Sequence, residues 1–189
     1  LRSLNDVNDT LPGSSGGATG GERVRVKRGA QAVYLAQLVQ EMQQANPDEK
    51  IVLIGDFNAF EFNDGYVDVL GIIKGEAATE DQVLTWMASP LTTPLVDGSQ
   101  LIADPAQRYS YVFEGSAQTL DHVLVNESLV MDAALRVDHA RINTDFGVDN
   151  FGDATLALRS SDHDPVRLSI RVPSFARADL SATVAADRA

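Results

Sequence analysis

The stretch that organises this chain is 51–58, which reads IVLIGDFN. Its first four residues are apolar and mostly β-branched, a composition typical of a strand covered on both faces. Asp56 and Asn58 follow at the carboxyl end of that strand, where open α/β sheets bind their ligands. Side chains two apart on a strand point the same way. The stretch therefore predicts a carboxylate and a carboxamide projecting together from the tip of a buried strand.

This pair of polar residues has two interpretations. A carboxylate can orient and activate water, and an amide can donate to a phosphoryl oxygen, which together suit phosphodiester hydrolysis. Asp and Asn also end strands by bonding their own backbone. Taken alone, Asp56 and Asn58 favour neither interpretation.

A second polar segment, 162–165, reads DHDP and stands just before the last predicted strand. Asp162 offers the hard oxygen ligands that Mg²⁺ takes, and His163 suits a base or a phosphate partner. The competing interpretation is a polar surface loop.

A working histidine needs its other ring nitrogen anchored, commonly by a carboxylate. Asp121 is the candidate, because it lies in the strand-like sequence LDHVLV, where a charge is costly unless it is paired. Its alternative partners are His122 and Arg108. We favour pairing with the histidine of the second segment.

Composition restricts the class of protein. A chain of 189 residues suits one domain, or one domain with a tail. It has no cysteine, which excludes disulfides, zinc–thiolate sites and thiol catalysis. Its net charge of -12 disfavours a protein that coats nucleic acid, but not a nuclease, since a bound cation masks carboxylates locally. No apolar stretch approaches the roughly 20 residues of a membrane helix.

The order of elements predicts α/β or α+β layering. Residues 1–27, rich in Gly, Ser and Asp, are expected to be a flexible loop region. Residues 173–189 are expected to be a tail or linker. Between them we predict helices at 28–45, 66–70 and 80–88, the last capped by Thr79, and strands at 51–54, 109–113, 119–125, 134–142 and 166–172. The turn at 114–116 is predicted to join the second and third of these strands into a hairpin.

Three motifs in chain order carry a resemblance: GDFN at 55–58, YSY at 109–111 followed by LD at 120–121, and SDH at 161–163. Their order and strand contexts resemble the endonuclease/exonuclease/phosphatase family, the DNase I-like enzymes, over residues 1–172. The region 55–71 is most similar to bacterial extracellular-nuclease-type members. The resemblance implies an α/β (α+β) fold that is part of a four-layered sandwich of the DNase I type.

The resemblance also implies a role for each matching residue. Asp56 would activate the attacking water, and Asn58 would bind the scissile phosphate. Asp162 would help hold the metal, and His163, oriented by Asp121, would contact the phosphate or assist proton transfer. The reaction would be in-line attack of water on a phosphoester, aided by Mg²⁺, or by Mn²⁺ or Ca²⁺ in its place. Nucleic acid is the expected substrate.

The sequence departs from the family in one large respect. The family's amino-terminal half carries an Asn and a metal-binding Glu on early strands, and a further His on the strand that would immediately precede Leu1. No counterpart is found, and Glu61, Asp64 and His139 are expected to be solvated loop or strand residues. We therefore expect this chain to be the carboxyl-terminal portion of a domain whose amino-terminal half is missing, and to be inactive alone.

Other functions stay open. One is a phosphatase or phospholipase of the same family, because the family's members share one set of catalytic residues and substrate choice lies in loops such as 74–108. Another is a non-catalytic fragment or interaction module. The resemblance implies a secreted or cell-surface location, and the oligomeric state is not determined by the sequence.

Three further residues are expected to be structural. Trp86 is expected in the core. Tyr111 is expected to pack on one strand face, with a substrate-facing position as the alternative. Arg28 is expected at a solvated helix start, with phosphate contact as the less favoured interpretation.

Overall fold

The computed structural model describes residues 1–13, 18–132 and 134–171. Within these ranges the chain alternates helices with short strands, which confirms the predicted mixed α/β class. The predicted tail at 173–189 lies outside the described residues. The helices are α1 (Gly20–Ala45), α2 (Val69–Lys74) and α3 (Glu127–Asp132); the strands are β1 (Val52–Asp56), β2 (Val96–Asp97), β3 (Tyr111–Phe113), β4 (Ser116–Gln118), β5 (Asp121–Val125), β6 (Ala134–His139) and β7 (Val166–Arg171).

The first helix starts eight residues before its predicted start, so 20–27 are helical rather than loop. Thr19 caps the helix, its side chain accepting from the Glu22 N–H at 3.1 Å. Gly21 lies against the preceding segment, where a Cβ would meet the Asp9 carbonyl oxygen at 2.7 Å. The glycines that predicted a loop instead allow close packing at the helix start. Residues 14–17 of the predicted loop lie outside the described residues.

The central sheet has the order β1–β5–β2, and both pairings are antiparallel. β5 is buried along its whole length. Its Leu124 packs in the cluster formed with α1 and α2, whereas Val123 and Val125 pack in a second cluster with Val137 of β6. The strand thus lies between two apolar layers, which fixes the position of its first residue, Asp121.

The first strand is covered less completely than predicted. In the order of the described strands β1 forms an edge, and its Ile54 is 51% exposed. The prediction that this apolar run is covered on both faces is therefore wrong for Ile54 in the described part of the chain.

The predicted turn at 114–116 is present, but it joins different strands. Glu114 and Gly115 adopt left-handed φ angles of 49° and 83°, and the turn pairs β3 with β4. β5 pairs with β1 instead of closing this hairpin. β6 and β7 form a separate antiparallel pair.

The two short helices between β1 and β2 also differ from expectation. The first lies at Val69–Lys74 rather than 66–70, because the Asp68 side chain caps it. Only Glu80–Gln82 of the second forms a helical turn. Trp86 is 47% exposed and donates from Nε1 to the Ala78 carbonyl, so its predicted core position is wrong. None of the helices in the described ranges is long and apolar enough to cross a bilayer.

Candidate active site

The antiparallel register of β1 and β5 places Asp56 directly opposite Asp121. Residues paired in this way have Cβ atoms about 4.5–5.5 Å apart, and like charges so placed repel. Asp56 is exposed and Asp121 is buried. The strand ends therefore concentrate negative charge where a positive group would be stabilised.

His163 supplies one such group. Its Nδ1 lies 2.6 Å from Asp121 Oδ2, and this hydrogen bond raises the pKa of the imidazole. The other candidate partners of Asp121 bond elsewhere: His122 Nε2 lies 2.7 Å from the Ala59 carbonyl oxygen, and Arg108 donates to the Ile102 carbonyl. With Nδ1 held by the carboxylate, Nε2 is the ring nitrogen left to meet a substrate.

The three residues form a cluster with the geometry of a cation site. One ligand atom from each of Asp56, Asp121 and His163 lies within 4.8 Å of the others. Carboxylate oxygens are the ligands that Mg²⁺, Mn²⁺ and Ca²⁺ prefer, and Mg²⁺ commonly takes one or two together with water and phosphate. The juxtaposed carboxylates fit such an ion. Asp162 is exposed and stands outside this cluster, although it lines the same cleft.

Asn58 reaches the cluster by a turn rather than by strand alternation. β1 ends at Asp56, and Asn58 adopts a left-handed φ of 48°. Its backbone N–H and its Nδ2 each donate to an Asp56 carboxylate oxygen, both at 2.7 Å. The structure is therefore compatible with both interpretations of this pair, a strand-ending turn and a site residue. Asp56 accepts the hydrogen bonds that hold its own turn, and it also faces Asp121.

A cleft of about 540 Å³ opens beside the cluster. Asn58 and His163 line it, and so do residues from the start of the chain: Ser3, Leu4, Asn5, Val7 and Asn8. Tyr111 lines the cleft too, with its ring centroid 4.6 Å from that of His163, so it faces the space a substrate would occupy. The remaining aromatic and acidic lining residues are Phe60, Asp64, Tyr66, Phe113 and Asp162.

A family model described as the Endonuclease/Exonuclease/phosphatase family matches residues 9–163. This chain belongs to that family. Searches of curated proteins and of solved structures gave no match. Members of the endonuclease/exonuclease/phosphatase family are typically hydrolases of phosphoester bonds that use divalent metals, and the mixed α/β structure is consistent with their DNase I-like fold.

Several residues that hold this family site in place were missed in the sequence. Arg28 is one: it is fully buried, and its Nη2 donates to the Asn58 carbonyl at 2.7 Å while Nη1 donates to the Arg2 carbonyl. Burial lowers the pKa of this guanidinium, against the opposing effect of Asp64 and Asp56. The expected solvated position is wrong. The available signal was spacing, since Arg28 precedes Ala32 on the apolar stripe of α1.

Ser110 is another positioning residue. It is fully buried, and its Oγ accepts from the Leu120 and Asp121 backbone N–H groups at 3.1 and 3.0 Å. Its carbonyl accepts from the Asp164 N–H at 2.7 Å. The side chain of Ser110 thus holds the start of β5, and its carbonyl holds the loop that carries the site histidine. Its position between two tyrosines on a strand was the only signal.

Asp164 fixes the other side of that loop. Its carboxylate is fully buried and accepts from the backbone N–H groups of Ile142, Asn143 and Thr144, from Arg141 Nη1 at 3.0 Å, and from the Thr144 hydroxyl. Burial alone would raise its pKa, but the bonds from Thr144, Asn143 and Arg141 outweigh burial and lower it. These donors satisfy the buried Asp164 carboxylate within the protein, whereas the Asp56 carboxylate at the strand end is exposed.

Glu61, Asp64 and His139, which were all expected to be solvated, differ in their exposure. Glu61 is exposed, as expected. Asp64 is half-buried and lines the cleft. His139 is 7% exposed, and neither ring nitrogen has a hydrogen-bond partner among the described residues, so its expected solvation is wrong. Burial lowers the pKa of His139 to about 4.

Proposed function

We propose that this chain forms part of the catalytic domain of a metal-dependent phosphodiester hydrolase that acts as a nuclease. The observation that carries the proposal is the cluster of Asp56, Asp121 and His163 at the mouth of the cleft. An exposed and a buried carboxylate that face each other at two strand ends, beside a histidine anchored by one of them, suit water activation and phosphate binding better than they suit stability.

Each side chain has a role in this proposal. Asp56, held by two donors from Asn58, keeps further lone pairs with which to orient the attacking water. Asn58 Nδ2 also donates to the Leu1 carbonyl at 3.2 Å, and exchanging that bond would let it donate to a phosphoryl oxygen. His163 would contact the phosphate through Nε2, and it would pass a proton to the leaving oxygen, a role that the hydrogen bond to Asp121 favours because it raises the imidazole pKa.

A divalent cation, when bound, would neutralise charge on the phosphoryl group during in-line displacement. Asp56 and Asp121 are the residues best placed to hold it, with Asp162 at the cleft wall as a further carboxylate. In the displacement the water oxygen bonds to phosphorus as the phosphorus–oxygen bond to the leaving group breaks.

We further propose that the family's remaining ligands are contributed by a segment outside these 189 residues. One feature supports this. In the order of the described strands β1 forms an edge, and its Ile54 is half-exposed, a surface that a neighbouring segment would cover.

The test is a cleavage assay on the parent-length protein and on this chain. Plasmid DNA, RNA and a simple phosphomonoester are incubated with Mg²⁺, and then with chelator. We expect cleavage of nucleic acid that chelator abolishes, and little or none by this chain alone. Cleavage indifferent to chelator would contradict the mechanism, whereas turnover of the monoester alone would show a phosphatase.

We also propose that the protein is a bacterial extracellular-nuclease-type member that works outside the cell or at its surface. The support is the motif resemblance around 55–71, together with a cysteine-free, acidic composition that is compatible with that location. Fractionation of the native host, with detection in medium and cell-surface fractions, tests the location.

A further inference from the structure

A row of aromatic rings leads away from the proposed phosphate site. Tyr111 and Phe113 lie two apart on one face of β3, with ring centroids 6.4 Å apart. Tyr111 in turn lies 4.6 Å from the His163 ring. The row therefore begins at the residue proposed to contact phosphate and continues along the cleft wall.

The outer rings of the cleft are open. Phe113 is 52% exposed although it lines the cleft. Phe60 lines the cleft as well, and it stacks in parallel on Phe62 with centroids 5.1 Å apart. Phe62 is itself 63% exposed. Large rings gathered and uncovered at one cleft indicate a surface that binds a flat or apolar group.

The charges of the cleft restrict what that group is. Among the described residues that line it there is no Lys or Arg, whereas Asp64 and Asp162 are present. Tight binding of a polyanion through phosphate contacts depends on Lys and Arg, and so does attraction to anionic lipid surfaces. Neither source of affinity is available in this cleft. Aromatic stacking is, and it accepts any base because every base has a π-face.

We infer that Phe113, with Tyr111 and Phe60, forms a stacking subsite for an unpaired nucleobase next to the scissile phosphodiester. The inference rests on the proposed function and narrows its substrate to nucleic acid with single-stranded, unstacked bases. Bases inside a duplex are already stacked and paired, so a base would have to be unpaired and unstacked before it could reach Phe113.

The test is binding of the parent-length protein, in Mg²⁺, to two fluorescent oligonucleotides of equal length. One is single-stranded oligothymidylate, and the other has the same backbone with tetrahydrofuran abasic sites; phosphorothioate linkages slow hydrolysis in both. Fluorescence anisotropy gives the affinities. We expect the base-containing strand to bind about tenfold more tightly, with weak dependence on salt.

Variants of Phe113 distinguish stacking on bases from contact with the sugar–phosphate backbone. Phe113→Ala is expected to weaken binding of oligothymidylate about tenfold and binding of the abasic strand less than about twofold, while Phe113→Tyr keeps the wild-type preference. Phe151→Ala is the matched control, since Phe151 is 57% exposed and is not among the residues lining the cleft. It should bind both strands as the wild type does. Circular dichroism checks that each variant is folded.

Equal affinity for the two strands would overturn the inference, as would a Phe113→Ala variant that still prefers bases. If the parent-length protein nevertheless cleaves the abasic strand in a chelator-sensitive way, the proposed hydrolase function survives that result. Binding to phosphatidylserine vesicles that Phe113→Ala abolishes, with no binding to either oligonucleotide, would show a membrane surface and overturn the nucleobase subsite.

Discussion

The two ends of the β1–β5 ladder use polar side chains in opposite ways. At one end Asn126 is buried, its Oδ1 accepts from the Ile51 N–H at 2.9 Å, and its Nδ2 donates to the Glu49 carbonyl at 2.6 Å. At the other end the same pairing sets Asp56 against Asp121. One end satisfies its polar groups within the protein, and the other places two carboxylates side by side.

This difference separates polar residues that stabilise the fold from those that serve the site. Buried polar groups in proteins are normally hydrogen-bonded, and Asn126 follows that rule. Facing carboxylates destabilise an antiparallel pair, so their presence indicates another use, which we propose is the binding of a cation and of phosphate. Substitutions at the carboxylate end should therefore lower turnover, whereas a substitution of Asn126 at the other end should lower stability.

The largest effect is expected at the carboxylate end. Asp56→Asn and His163→Ala should each lower turnover of the parent-length protein by about 100-fold or more, because each removes a group positioned for water activation or proton transfer. For Asp56→Asn the free energy of unfolding should change by less than about 1 kcal/mol, since Asp56 is exposed and faces a like charge. Either variant retaining near-normal turnover would remove that residue from the site.

The opposite end should respond in stability instead. Asn126→Ala leaves the Ile51 N–H and the Glu49 carbonyl without their partner, which should cost about 2–3 kcal/mol in the free energy of unfolding. Turnover per folded molecule should be unchanged. Urea denaturation measures the first quantity and the cleavage assay the second. A loss of turnover at full stability would show that the two ends are not independent.

A pH effect tests His139, whose ring nitrogens have no hydrogen-bond partner among the described residues. The pKa of His139 is lowered to about 4, below the ordinary value of 6.5. Between these values the unfolded chain binds a proton that the folded chain does not, so stability is fully present above pH 6.5 and is lost as pH falls. Between pH 7 and 5 the loss should reach about 2 kcal/mol.

The control for this effect is His139→Leu, which removes the titrating group without removing a hydrogen bond made by the described residues. The free energy of unfolding of the wild type minus that of the variant should fall by about 2 kcal/mol between pH 7 and 5. A pH-independent difference would show that the histidine is not buried in its neutral form.

The smallest effect is the stabilisation conferred by cation binding. Mg²⁺ at ten times its dissociation constant should raise the free energy of unfolding by about 1.4 kcal/mol, if it binds the folded state alone. Asp121→Asn should abolish this gain. Asn126→Ala should show the same gain, although its free energy of unfolding without Mg²⁺ is lower than that of the wild type. Thermal melts with Mg²⁺ and with chelator measure the gain. Equal gains in wild type and Asp121→Asn would place the cation elsewhere.

Sequence reasoning predicted the elements that depend on local pattern. The apolar run at 51–54, the turn at Glu114-Gly115 and the last strands were located within a few residues, because periodicity and turn chemistry are properties of neighbouring residues. Partner choice was predicted less well. β3 pairs with β4, and β5 with β1, although the sequence pattern suited a hairpin between the predicted strands 109–113 and 119–125.

The same division applies to the site. Asp56, Asn58, Asp121 and His163 were selected by motif, and the structure brings them together. Arg28, Ser110 and Asp164, which hold them, were missed, because a buried hydrogen-bonding role is decided by residues distant in the chain.

The sequence by itself determined the family and the chemistry that its motifs allow. Short motifs record residue types, and residue types limit which atoms can bind a cation or move a proton. The tertiary structure decided that Asp56 faces Asp121 and that Asp121 bonds His163 rather than its alternative partners, Arg108 and His122. It also decided that Phe113 stays exposed beside the site. These depend on strand register and on packing between distant segments, which no local pattern specifies.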